Sequence, residues 1–146
     1  DYPKKEEEKI ILRKNINKEY PEIKPVTSTK EILNARKVCR EVYLDEKIEN
    51  YITDIVFASR YPNDYKLKKF ANLISYGGSP RATINLAMAA KAYAFIKRRG
   101  YVIPEDVRAV APDVMRHRIG LTYEAEAMNM TSDEIVSKIL NSVEVP

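Results

Sequence analysis

The 146-residue chain has one cysteine, one histidine and four glycines, and each scarcity excludes a class of function. Cys39 alone cannot form an internal disulfide or a cysteine-cluster metal site, and with His117 as the only histidine a His-rich metal site is excluded as well. Glycine occurs only at 77, 78, 100 and 120, so there is no Gly-x-x-x-x-Gly-Lys-Ser/Thr phosphate loop. Val42-Tyr43-Leu44-Asp45-Glu46 resembles the apolar strand and acidic pair that hold magnesium in phosphate-loop ATPases. Without the loop that match is empty, and Asp45 is better read as a helix cap. No apolar run approaches the roughly 20 residues that span a bilayer. No nucleophile–base pair or pair of catalytic carboxylates stands out, so this chain by itself is not expected to be an enzyme.

What is present is charge, unevenly spread. Charged residues make up 32% of the chain and the mean hydropathy is −0.43, as in a soluble globular protein, and the length suits one well-buried core or one core with an appended arm. The net charge of +4 divides into three parts. Residues 1–54 balance 12 Lys/Arg against 12 Asp/Glu, residues 55–118 carry 12 against 4, and residues 119–146 carry 1 against 5. The +8 middle includes Lys66, Lys68, Lys69, Arg81, Lys97, Arg98, Arg99, Arg116 and Arg118. It favours a polyanionic partner, or is a solvated surface balanced elsewhere in a larger protein. Arg116-His117-Arg118 is compatible with a nucleic-acid contact, a proton-transfer site or, more simply, the close of a helix C-terminus.

Capped segments with a 3.6-residue apolar period recur along the chain. Lys4–Lys14 suits a short helix after Pro3, and Pro21 and Pro25 make 15–26 an extended connector. A second helix runs from Ser28 or Thr29 through Ile32, Ala35, Val38, Cys39 and Val42, with Cys39 expected as a core thiol. A third follows the Asp45 cap, with Ile48, Tyr51, Ile52, Ile55, Val56 and Ala58 on one stripe. Between Ala82 and Ile96 only Thr83, Asn85 and Lys91 are not apolar, so the helix from Pro80 to Lys97 is expected to be surrounded by others and to end at Gly100. Pro104-Glu105-Asp106 opens a further helix that Pro112 kinks or restarts, and Thr131-Ser132-Asp133-Glu134 is a capping box for the last. The expected fold is an all-α helical bundle with at most a short β-hairpin before residue 77.

Residues 77–86 hold the one electrostatic oddity. Ser79 is a preferred N-cap and Pro80 suits the first helical position, which puts Arg81 in the first turn. There the helix dipole disfavours a cation by about 0.3–1 kcal/mol, and no acidic residue compensates. Free N–H groups, glycines and an arginine at a helix start suit an anion, phosphate most commonly. On the residues alone, Arg81 extending into water or meeting a distant carboxylate is the simpler reading and is favoured over an anion site.

Read in order, several stretches resemble the C-terminal part of MoxR-family AAA+ ATPases. They are Tyr2-Pro3 with Glu6-Glu7-Glu8, Val42-Tyr43-Leu44-Asp45 before Tyr51-Ile52, and Gly77-Gly78-Ser79-Pro80-Arg81-Ala82. Tyr101 to Val107, Ala111-Pro112-Asp113-Val114-Met115-Arg116-His117-Arg118 and Thr131 to Ile135 complete the pattern. Ile103 departs from it, standing where the family more often has a Thr cap. The resemblance implies the helical lid that follows an α/β nucleotide-binding core, with 1–26 as first lid helix and connector and 27–146 as the lid bundle. It implies that Arg81 is the family's second sensor, reaching the ATP γ-phosphate, with Ser79 and Pro80 beside it. ATP and Mg²⁺ are then cofactors of the full-length protein, and none is expected in this chain alone. The implied partners are its own N-terminal core, further copies in a homo-oligomeric ring and an unidentified client complex, in a cytoplasmic, chaperone-like ATPase. The start at Asp1, without a methionine or signal-peptide pattern, suits a segment of a longer polypeptide. A basic helical module binding nucleic acid, and the lid of a related AAA+ protein such as a magnesium chelatase subunit, are the alternatives. Specific nucleic-acid binding is not expected, since no helix-turn-helix signal is present.

Overall fold

Helix caps and apolar stripes account for most of the backbone in the computed structural model, which describes residues 2–18, 20 and 22–146. By internal contact the chain divides into Asp1–Leu33 and Asn34–Pro146. The first unit holds α1 (Lys5–Asn17), which has acidic residues in its first turn and ends at Lys18 in the left-handed conformation. The helix thus runs three residues beyond the expected Lys14, into the stretch read as connector; the part of that reading that rests on Pro21 lies outside the described residues. α2 (Thr29–Glu41) begins in the first unit and ends in the second. It has no buried residue, so Cys39 is half-buried rather than a core thiol.

The second unit contains the core. Asp45 caps α3 (Glu46–Arg60) by accepting a hydrogen bond from the Lys47 N–H at 2.9 Å. The whole expected stripe of α3, from Ile48 to Ala58, is buried, and Ser59 is buried with it. Two 3₁₀ turns, Pro62–Tyr65 and Lys68–Leu73, lead to strand β1 (Ile74–Tyr76). β1 lies just before residue 77, but its partner is not a hairpin neighbour. It pairs antiparallel with β2 (Gly120–Leu121), Tyr76 opposite Gly120, because the chain first passes through α4 (Pro80–Ile96) and α5 (Pro104–Met115).

α4 packs most extensively on α5. Its buried residues are Ala82, Leu86, Ala90 and Ala94, a four-residue repeat whose small side chains let the two helices approach closely. The opposite face is not covered as expected: Ile84, Met88 and Ile96 are more than half exposed. Nor does Gly100 terminate the helix. The left-handed residue is Arg98, at φ 58°, and Gly100 has no positive φ. Just beyond, Arg99 makes a bidentate ion pair with the buried Asp106 of α5, whose carboxylate also accepts from the Ile103 N–H at 3.0 Å. Burial pushes the Asp106 carboxyl up, but the Arg99 and Ile103 hydrogen bonds outweigh it and leave the group below its usual range.

Pro112 does not break α5, which continues to Met115 and then tightens into a 3₁₀ turn at Arg116–Arg118. A short α6 (Tyr123–Ala127), unforeseen in the sequence, is capped by Thr122, and α7 (Ser132–Ser142) opens with the expected reciprocal Thr131–Glu134 box. Among the described residues the bundle is all-α apart from the β1–β2 pair and a single Tyr43–Tyr101 bridge.

Candidate functional site

The Gly77–Arg81 loop is set by the last turn of α3. A Cβ on Gly77 would stand 2.5 Å from the Ser59 carbonyl carbon and 2.7 Å from the Arg60 nitrogen, closer than any side chain tolerates. Gly78 is buried, its N–H donates to the Ser59 hydroxyl at 2.9 Å, and that hydroxyl donates to the Val56 carbonyl at 2.6 Å. A Cβ on Gly78 would crowd Ala82, Met115 and Val56 at 3.1–3.3 Å. The glycine pair is therefore required for close approach to the core, not for a phosphate-cradling turn.

Ser79 stands at the N-cap with extended backbone, as expected, but its hydroxyl makes no capping hydrogen bond. Pro80 occupies the first helical position, and the first turn has no acidic side chain. The start of α4 is consequently closed neither by a cap nor by a carboxylate, and Ser79, Pro80 and Arg81 are all exposed. Arg81 makes no ion pair among the described residues, so the alternative of a distant carboxylate partner is not realised there. Buried Ala82, on the other side of the same turn, anchors it to the core. The result is a fixed helix start that presents an unpaired guanidinium outward, an arrangement suited to an anionic group arriving from outside the chain; of the N–H groups in that turn, Ala82's is taken by the Ser79 carbonyl at 2.7 Å and Pro80 has none.

Much of the basic middle segment is occupied with holding the fold. Arg99 is paired with Asp106, Arg116 bridges Asp113 at 3.0 Å and Asp133 at 2.9 Å, Arg108 donates to the Leu140 carbonyl and Asn141, and Lys91 donates to the Arg40 carbonyl. The Arg116-His117-Arg118 triplet splits accordingly: Arg116 ties α5 to α7 and His117 is exposed. No group of three or more metal-ligating side chains occurs among the described residues. Among the described residues, no helix is long and apolar enough to cross a membrane.

Sequence reasoning missed Ser59. Its signal was a hydroxyl one helical turn beyond Val56 and Ile55, within a stripe otherwise wholly apolar.

Residues 70–139 match the AAA lid domain. Over 146 residues, 99% of this chain, the sequence is 34% identical to the chaperone MoxR1 of Mycobacterium tuberculosis, of which it covers 38%. It is 33% identical to the YeaC protein of Bacillus subtilis, covering 43% of that protein. A crystal structure from Cytophaga hutchinsonii, described as a candidate ATPase, superposes over the entire chain with a TM-score of 0.89 at 39% identity, and this chain covers 44% of it. The chain thus spans about two fifths of the length of the relatives it matches.

Proposed function

The chain belongs to the MoxR family of AAA+ ATPases, whose lid it supplies, and we propose that Arg81 is the lid's contact with the γ-phosphate of ATP bound to the core of the same polypeptide. The observation that carries this reading is the geometry of the α4 start. A cation stands exposed and unpaired in a first turn that lacks a cap bond and an acid, held by a loop packed against the core. Such a placement costs the isolated lid a few tenths of a kcal/mol up to about 1, a cost that an anion at the helix start would remove.

ATP–Mg²⁺, held by the phosphate loop and acidic residues of the core, would supply the phosphoryl group and the charge to be stabilised. This chain's part is electrostatic and mechanical. The Arg81 guanidinium provides planar donors to a phosphate oxygen, and the α4 N–H groups add partial positive charge. Because α4 is locked to α5, and the Gly77–Gly78 loop to α3, a pull on Arg81 is transmitted to the bundle as a whole. Nucleotide state would thereby set lid orientation. Through a cytoplasmic ring of such subunits, it would drive chaperone-like maturation of client protein complexes, a role supported by the chaperone name of the M. tuberculosis relative. Residues 1–26 are proposed as first lid helix and connector, and 27–146 as the lid bundle.

The test is turnover of the complete polypeptide. Arg81→Ala is expected to lower the ATPase rate by one to three orders of magnitude, about 1.4–4 kcal/mol of barrier, and Arg81→Lys to restore it only partly. A variant that hydrolyses ATP at the unmodified rate sinks the proposal.

A further inference from the structure

We infer that Ser59 is a positioning residue for Arg81, fixing where the α4 start stands relative to the rest of the lid; this rests on the proposed role of Arg81. Ser59 is 1% exposed, and its hydroxyl serves two backbone groups at once, donating to Val56 and accepting from Gly78. Among the described residues it is the one side chain that hydrogen-bonds to residues 77–81. Around it the loop has no slack. Gly77 lies against the Ser59–Arg60 backbone, and Gly78 against Ala82, Met115 and Val56. From Gly78 the chain reaches Arg81 through only Ser79 and Pro80, and the proline ring fixes its own φ. A displacement at Gly78 therefore has few rotatable bonds in which to be absorbed before it reaches Arg81.

Alanine at 59 would leave the Gly78 N–H buried without an acceptor, and the cheapest relief is for the loop to lift toward water. Lifting it pulls on the first turn of α4 against its Ala82 anchor and so shifts the exposed guanidinium, while the deeper α4–α5 contacts at Leu86, Ala90 and Ala94 stay in place. A serine that merely satisfied a buried N–H would also stabilise the fold, but its loss would be felt equally whether or not Arg81 is present.

That difference is measurable by a double-mutant cycle in the complete polypeptide, with ATPase turnover as readout. Ser59→Ala is expected to lower kcat about tenfold with Arg81 present and by less than about twofold in the Arg81→Ala background. Equal losses in both backgrounds overturn the role of Ser59 and leave Arg81's standing. Unmodified turnover in Arg81→Ala alone overturns both. Should Ser59→Ala fail to fold, Ser59→Cys, which keeps the volume and offers a weak acceptor, gives the same cycle and is judged by the same criterion. A second readout needs no activity: exchange of the Gly78 amide should quicken at least about tenfold in the Ser59 variant relative to the Ile55 amide of α3. Unchanged relative protection contradicts the inference.

Discussion

Replacing Gly77 with alanine is a one-methyl change with a large expected effect. The new Cβ would lie 2.5 Å from the Ser59 carbonyl carbon and 2.7 Å from the Arg60 nitrogen, and nearer still to the Ser59 oxygen. All three are backbone atoms at the end of a buried helix, so no side-chain rotation relieves the clash. Overpacking of this kind costs about 1–3 kcal/mol. The shift needed to relieve it also loosens the Gly78–Ser59 hydrogen bond, which adds about 1 kcal/mol when a buried N–H loses its acceptor. A total of about 2–4 kcal/mol corresponds to a melting-temperature drop of roughly 6–15 °C for a domain of this size. Gly100 is the internal control. A Cβ there meets nothing within 4 Å and the residue has no positive φ, so alanine is expected to be neutral or to stabilise by about 0.4–1 kcal/mol. Thermal unfolding of the two variants, followed by circular dichroism at 222 nm, decides the matter. Equal melting temperatures for Gly77→Ala and Gly100→Ala would mean that the loop is not seated on α3 as described.

Two other positions give expectations of opposite sign. Arg98 is exposed in the left-handed conformation that terminates α4, so Arg98→Gly should raise stability by about 0.5–1 kcal/mol in chemical denaturation; a loss would show that its side chain matters more than its backbone. Asp106→Asn breaks the buried pair with Arg99 and should cost about 3 kcal/mol at pH 7. Because the folded state lowers the Asp106 pKa, the pair's contribution is complete above the usual value of 3.8 and is lost as pH falls through the lower folded value. Urea unfolding should therefore show the gap between Asp106→Asn and the unmodified chain narrowing below about pH 3.8, and a gap independent of pH would contradict the assignment.

Local signals were legible in the sequence wherever a single residue decides a local outcome. The Asp45 cap, the α3 stripe and the Thr131–Glu134 box all stand as read, because capping and amphipathic periodicity act within one or two turns. What could not be read was set by tertiary partners. The apolar length of α4 suggested burial all round, yet only its alanine-rich stripe is covered. Gly100 looked like the helix stop, but the left-handed residue is Arg98, two positions earlier, beside the Arg99–Asp106 ion pair that ties the turn to α5. The partner of β1 lies more than forty residues along the chain, beyond any hairpin rule. At the α4 start, the cap position of Ser79, Pro80 in the first turn and the placement of Arg81 beside it were legible from helix-start chemistry. Ser59 was not, because its meaning depends on a glycine nineteen residues away.

The proposed contact of Arg81 is with the γ-phosphate, which ATP has and ADP lacks. The direct measurement is calorimetric affinity of the complete polypeptide and its Arg81→Ala variant for Mg²⁺-bound non-hydrolysable ATP analogue and for ADP. The account predicts that the variant binds the analogue at least about tenfold more weakly, or about 1.4 kcal/mol, and binds ADP unchanged. Equal weakening for both nucleotides, or none for either, would contradict it.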